Sequence, residues 1–504
     1  MATFMFLIPF FIALAILILK KQRTLPLPPG PPRLPIIGNL HQYPGKDPWK
    51  KYHEWHKKYG PIFSLKFGQR TVIVLGNHRV TKDLLEKRSG IYSSRPRMAV
   101  AERITKGLLG GTLPYGPEWM ANHRSYISML NPRMTCAYQV MQDLESKQLV
   151  FELLSSNDFL GRFHRYRSSL IFALSTGKRM VSGDERELQE STSITKNIVE
   201  AVMPGRWLVD AFPVMEYLPR FLSEWKRIGD ELHIKEREFF TENFRNGLKA
   251  KSWNLAKYVL EFQQSWNVRQ DELPYIIGVL HEGSEGLEVG LGVFVIACIL
   301  HPAAVKQAQL ELDAVVGRDR LPTFEDIPDL PYTCAFVKEI LRWRPPSPGG
   351  APRATTREDE YLGYRIPKGA IVIANFWSLS LDKDFFEDGE TFRPERWVHN
   401  PGLPVSAFGL GKRSCPGQHL GLSSLNINIA RLLWAYDIQP GAVSGRDEIG
   451  DRYEMEDFGI ISKPKPFEAL FRPRDANRRL VITREWEEQR KDTDSILDGI
   501  GASI

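Results

Sequence analysis

Long apolar patterns at helical spacing, broken by two short strand regions, make this an α+β chain dominated by helix. The clearest helical pattern runs from Leu422 to Trp434. One strand region is Ile62 to Leu75, which alternates and then runs apolar about Gly68-Gln69-Arg70, the pattern of a hairpin. The other is Ile371-Val372-Ile373-Ala374. A further pattern stands apart from the fold, because the first 19 residues carry no charge.

From Phe4 to Leu19 only Pro9 interrupts that apolar run. As a helix it spans about 28 Å, close to the apolar thickness of a bilayer. Lys20, Lys21 and Arg23 follow at once, which places the remainder on the cytosolic side. A cleaved signal peptide competes, with Ala13-Leu14-Ala15 as its site. That triplet lies inside the apolar run, however, and no basic residues precede it. Residues 1–22 therefore read as an uncleaved membrane anchor and residues 23–40 as a hinge. Within the hinge, Leu25-Pro26-Leu27-Pro28-Pro29-Gly30-Pro31-Pro32 reads as a semi-rigid spacer, since proline fixes φ. A docking motif for a PxxP-binding partner is the alternative. Residues 41–504 remain for a folded domain.

A hydrophobic content of 42% is ample for a large core. A length of 504 residues would suggest about three domains, yet no low-complexity linker or internal repeat follows residue 40. The 67 Lys and Arg against 60 Asp and Glu give a mild charge of +7, spread along the chain. That suits an anionic membrane face or an acidic redox partner, and argues against nucleic acid, whose binders concentrate their basic residues. Cys136, Cys298, Cys334 and Cys415 show no CxxC or zinc-like spacing and read as a reduced compartment.

Glu339-Ile340-Leu341-Arg342 lies in a helical run, and a spacing of three lets Glu339 and Arg342 pair on one face. Phe392-Arg393-Pro394-Glu395-Arg396-Trp397 follows. Next comes Phe408-Gly409-Leu410-Gly411-Lys412-Arg413-Ser414-Cys415-Pro416-Gly417, a glycine-rich loop ahead of an apolar helix. Glycines admit a flat ligand closely. A cysteine near a helix N-terminus and Arg413 is expected to have a lowered pKa. Its thiolate is a soft, electron-rich metal ligand, and on haem iron it favours O–O cleavage. The alternative is a buried free cysteine in an ordinary loop.

Phe-x-x-Gly-x-Arg-x-Cys-x-Gly is complete here, and it resembles the haem-binding loop of the cytochrome P-450 family. The order E-x-x-R, then P-E-R-W, then the cysteine loop resembles that family as well, with Trp397 as the last aromatic. The resemblance runs to about Arg474; the polar tail from Asp475 is unassigned. It implies one large helical domain with a small β region, behind an N-terminal transmembrane helix. It implies haem b with Cys415 as axial ligand, and Phe408 and Gly417 about it. It also implies a buried network of Glu339, Arg342 and Arg396 behind the haem.

Propionate contacts are expected from Arg413, from Arg353, and from the segment Tyr115 to Arg124. That segment resembles the family's W-R-x-x-R helix but has Met120 and His123 in place of the arginines. Trp119 and His123 still offer ring N–H donors, whereas Arg124 lies one position beyond.

In the helix expected from about Asp271 to Leu300, the family's oxygen-activation motif falls on Glu282-Gly283-Ser284-Glu285-Gly286-Leu287. Gly283 and Glu285 match, and Gly286 replaces the usual hydroxyl that helps to hold dioxygen and its proton-donating water. Proton delivery is then left to substrate, water or Glu285, the catalytic candidate. Gly278, Gly283, Gly286, Gly290 and Gly292 each cost a helix about 1 kcal/mol relative to alanine. Either the helix is distorted over the haem or the glycines admit close neighbours.

Substrate contacts are expected from Pro346 to Ala351, Met98 to Leu109 and Phe458 to Ile461, which implies a bulky, apolar small molecule. The reading is a monooxygenase of the endoplasmic reticulum membrane, single-pass with its catalytic domain cytosolic. A separate NADPH-cytochrome reductase supplies electrons, since no flavin or dinucleotide module is apparent. The wording of the motifs is most similar to fungal members of secondary metabolism. Gly286 keeps open a radical coupling, ring expansion or rearrangement without oxygen insertion. A non-catalytic haem-binding protein is the alternative of another class.

Overall fold

The computed structural model describes residues 25–203, 205–441 and 454–504, so the anchor expected over 1–22 lies outside the described residues. Helix outweighs strand by 58% to 9%, as the apolar periodicities imply.

The small β region forms where the sequence places it. Strands β1 (Ile62–Phe67) and β2 (Arg70–Leu75) pair antiparallel, Ile62 opposite Leu75. Gly68 turns between them at φ +55°, where an added Cβ would lie 2.6 Å from the Ala211 carbonyl oxygen. Farther on come β3 (Arg353–Ala354), β4 (Asp359–Tyr361), β5 (Tyr364–Ile366) and β6 (Ile371–Ala374). β6 joins β2 in parallel and β3 closes the sheet in the order β1-β2-β6-β3. Val72, Ile73, Val74, Leu75 and Val372 are wholly buried. Both faces are covered, which is why β2 reads as a continuous apolar run rather than an alternating one.

The proline segment is not free of this body. Ser64 donates to the carbonyls of Pro28 (Oγ, 2.6 Å) and Pro29 (backbone N–H, 2.8 Å), and the Arg365 N–H donates to Pro26. Asn39 donates to Pro31 and Pro32. From Pro26 on, the expected spacer is thus stitched to β1 and β5. Proline supplies no N–H but keeps its carbonyl, so such a segment docks as a row of acceptors.

The helices used below are α1 (Pro117–Leu130), α2 (Gln139–Glu152), α3 (Phe159–Thr176), α4 (Glu224–Lys249), α5 (Leu273–Gly283), α6 (Glu285–Leu300), α7 (Pro331–Trp343) and α8 (Gln418–Ala435), with α9 (Ala476–Glu487) and α10 (Thr493–Ser503) in the tail. Residues 270–300 are long and apolar enough to cross a membrane. They form instead the central core element, packed by α3, α7 and α8, with Leu291 and Val293 to Ala297 wholly buried. A helix apolar all round is buried in either solvent, so composition alone cannot separate the two cases.

That element is not one helix, as the sequence predicts, but two. It breaks at Ser284, where the Ser284 N–H reaches back to the His281 carbonyl at 3.4 Å. The polar tail is also ordered. Arg474 and Arg478 both grip Asp313, at 2.7 and 2.5 Å, while Leu497 and Ile500 are buried. Its apolar residues are too sparse to announce a docking face.

Candidate active site

The cysteine loop is built from two single turns, Ser406–Phe408 and Gly411–Arg413, leading into α8. Gly411 sits at φ +61°, and a Cβ there would meet the Leu85 carbonyl oxygen at 2.0 Å, so only glycine fits. The Cys415 N–H donates to the Phe408 carbonyl at 2.7 Å, closing the loop beneath the thiol. A Cβ on Gly417 would lie 3.7 Å from Cys415 Sγ, and one on Gly421 would lie 3.6 Å from the Phe408 ring. Phe408, Cys415 and Gly417 are therefore assembled in one place.

The thiol itself departs from expectation. Burial pushes the Cys415 pKa up, and only the Gly417 backbone N–H pulls it down. Arg413, expected to stabilise the thiolate, is turned elsewhere. It donates to the carbonyls of Ser93 and Leu113 at 2.8 and 2.7 Å and lies 4.3 Å over the Trp119 ring. Adjacency in sequence implied a contact that the turn geometry does not make.

Arg413 belongs instead to a cluster of three guanidinia, with Arg353 buried and Arg95 and Arg413 half-buried. Arg353, on β3, donates to the Leu410 carbonyl at 2.6 Å, while its Nη1 has no partner. Arg95 donates to Gly111 and Pro352 at 2.8 and 2.6 Å. Among the described residues none of the three is paired with a carboxylate. Burial lowers the Arg95 pKa to about 10. Burial, then the charge of Arg95, lowers Arg353 to about 9. Burial, then Arg95 and Arg353, lowers Arg413 to about 8. Three mutually repelling cations with an orphaned N–H require an anion of more than one charge. The sequence reading missed Arg95, whose only signal was its place just ahead of the variable stretch Met98 to Leu109.

Trp119 and His123 flank this cluster, their rings 4.6 Å apart, with burial and Arg413 lowering the His123 pKa. Arg124 points away and donates to the Trp266 carbonyl at 2.9 Å.

The break at Ser284 separates α5 from α6 and is held by a cation. Arg167 of α3 donates to Ser284 Oγ at 3.1 Å and pairs with Glu285 and Glu288, each at 3.1 Å. Glu285, the proton-delivery candidate, is thus held by a guanidinium rather than free. Around the turn lie Gly283 and Gly286. A Cβ on Gly283 would meet nothing within 4 Å, and one on Gly286 only Pro346, at 3.8 Å. Gly278, Gly290 and Gly292 serve the other purpose. Their Cβ positions lie 2.6 Å from Phe240, 3.0 Å from Leu425 and 3.1 Å from Pro464. Both readings of the glycines hold, at different positions.

Behind the cysteine loop, Glu339 is wholly buried and Arg342 grips it with two hydrogen bonds, at 2.7 and 2.8 Å. Arg396 adds a contact at 3.1 Å and the Trp397 indole N–H another at 2.9 Å. The same Arg342 donates to the carbonyls of Ser380, Gly389 and Thr391. Trp397 therefore does more here than fill space.

A glycine loop presenting a thiol, an acid-free arginine cluster beside it, and a broken helix baring two glycines define a haem-thiolate site. The orphaned Arg353 Nη1 and the three guanidinia fit the two propionates of a haem. The chain belongs to the cytochrome P450 family, whose model matches residues 28–471. It is 43% identical to the cytochrome P450 monooxygenase aneD of Aspergillus aculeatus, over 98% of this chain and 97% of that one. It is 40% identical to the cytochrome P450 monooxygenase astF of Aspergillus oryzae, over 100% and 97%. It is likewise 40% identical to fumitremorgin C synthase of Neosartorya fischeri, over 91% and 90%. The chain is a haem-dependent monooxygenase. Enzymes of this kind draw electrons from a redox partner and act on small molecules.

Proposed function

We propose that Cys415 is the sole protein ligand of the haem iron, and that the enzyme oxidises a bulky, weakly polar small molecule of fungal secondary metabolism. Arg95, Arg353 and Arg413 hold the propionates, with Trp119 and His123 as further donors. Phe408 and Gly417 shape the thiolate side. The bound haem supplies dioxygen activation, promoted by the thiolate's electron density. The protein's own part is placement. Its glycine loop and Gly417 N–H set the sulfur, and the Glu339 network fixes the loop from behind. Gly283 and Gly286 leave room on the reacting side. Glu285, held by Arg167, keeps a carboxylate at the helix break for passing protons through water.

The observation that carries this reading is the acid-free arginine cluster beside the cysteine loop. The carbonyl-difference spectrum of the reduced holoenzyme tests it, since a band without the thiolate red shift would overturn it. A separate NADPH-cytochrome reductase is the proposed electron source. Residues 1–22 are the proposed anchor in the endoplasmic reticulum membrane, with the catalytic domain cytosolic. Removal of residues 1–23 is expected to release the protein from membranes with the carbonyl band intact. A truncated protein still sedimenting with membranes would assign binding to another surface.

Gly286 favours a second reading, coupling or rearrangement without oxygen insertion. Turnover under labelled dioxygen separates the two, because label in the product supports hydroxylation. Gly286→Thr is expected to slow native turnover roughly tenfold, about 1.4 kcal/mol of barrier, as its side chain fills space now open. Faster turnover would show that the missing hydroxyl is only a defect.

A further inference from the structure

Several buried or half-buried acids have cations. Glu145 has Arg165 and Arg179, Glu288 has Arg167, and Glu339 has Arg342 and Arg396. Glu236 of α4 and Glu282 of α5 do not. Glu236 is 1% exposed and neither of its carboxyl oxygens has a hydrogen-bond partner. The buried Glu282 Oε1 has none either. The buried Tyr275 hydroxyl shares this condition, while the buried Tyr126 hydroxyl accepts a hydrogen bond from the Gly110 backbone N–H.

These groups come from three helices that pack together. Tyr275, Val279 and Glu282, spaced four and three, lie on one stripe of α5, and Gly286 continues it across the break. Glu282 adjoins Gly283, whose side is open. α4 lies across α5, and Tyr126 approaches from α1. Burial pushes the Glu236 pKa up to about 8, and burial and the Glu236 charge push Glu282 well above the carboxylate range. The charges of both reach Tyr275, and that of Glu282 reaches Tyr126. The acids are therefore within electrostatic reach of each other and of both phenols, with no cation paired to either among the described residues.

We propose that Glu236 and Glu282 form an anionic subsite for a basic nitrogen of the substrate, flanked by Tyr126 and Tyr275. The reasoning matches that for the propionates with the sign reversed. Arginines without acids mark the place of an anion, and acids without cations mark the place of a cation. The aromatic rings suit an alkylated ammonium. This names the substrate class of the site proposed above and rests on that reading.

The test uses full-length holoenzyme and two isosteric probes, trimethyl(1-adamantyl)ammonium and 1-tert-butyladamantane, in equilibrium dialysis. Neither probe can ligate iron. The cation is expected to bind at least about tenfold tighter at pH 8. Glu236→Gln and Glu282→Gln should each erase most of that preference while leaving the neutral probe's affinity within about twofold. Variants are compared only where the carbonyl band is retained.

Wild-type protein supplies a second measurement that needs no variant. Burial pushes the pKa of both phenols far up, with Arg237 and Asp271 acting on Tyr275 and Glu272 on Tyr126. The two carboxyls are then the groups that titrate. Below about pH 8 Glu236 holds a proton that a cation must displace, and burial likewise favours a proton on Glu282, so cation affinity rises with pH while neutral affinity stays flat. Equal affinity for the two probes, or a preference that survives both substitutions, overturns the proposal. Loss of the carbonyl band in wild-type protein would instead sink the haem-thiolate reading, which keeps the two failures distinct.

Discussion

Cys415→Ser abolishes the red-shifted carbonyl band of the reduced enzyme and leaves at most an alcohol-ligated haem. The band requires a thiolate opposite carbon monoxide, and the structure offers no substitute sulfur at the loop. Cys298 is buried inside α6, where burial pushes its thiol well up. Cys334 donates to the Ile327 carbonyl, and burial pushes its pKa up to about 11. Cys136 is exposed on the surface. Alanine at each of these three positions should retain the band in full. Difference spectra of the four variants, normalised to total haem, settle the matter. A serine variant with an unshifted wild-type band would remove Cys415 from the assignment.

Arg342→Ala should yield little or no holoenzyme. Its guanidinium makes five hydrogen bonds, two to Glu339 and three to carbonyls that approach from elsewhere in the fold. Removing it leaves the wholly buried Glu339 carboxylate with Arg396 as its remaining ion-pair partner among the described residues. Breaking such a pair costs about 3–5 kcal/mol, a large share of the roughly 5–15 kcal/mol that holds a typical domain. Arg342→Lys keeps the charge without the fork and should fall between the two. Haem content per polypeptide and thermal unfolding give the readout. Full haem loading in the alanine variant, with an altered product profile alone, would contradict a structural role.

Much of this was legible in the chain. Alternation about Gly68-Gln69-Arg70 specified the hairpin, because register there depends on local turn chemistry. Glu339 and Arg342 lie three residues apart on one helix, so their pairing needed no tertiary information. The cysteine loop was legible because glycine positions, unlike most, are set by the backbone itself.

What the sequence could not show concerns direction and partnership. Arg413 stands two residues from Cys415 yet turns to Ser93, Leu113 and Trp119, because the turn at Gly411–Arg413 sets its course. Ser284 and Glu285 read as part of one uninterrupted helix. Only Arg167, more than a hundred residues earlier, gives them partners. Glu236 carries no motif, and Glu282 stands in the oxygen-activation motif with no sign there that it lacks a cation. By itself the sequence determined the elements, the thiol and the ion pair behind it, since those depend on near neighbours along the chain. Only the tertiary structure decided which charges are neutralised and which are left over. That is a property of burial, and burial is decided by residues remote in sequence.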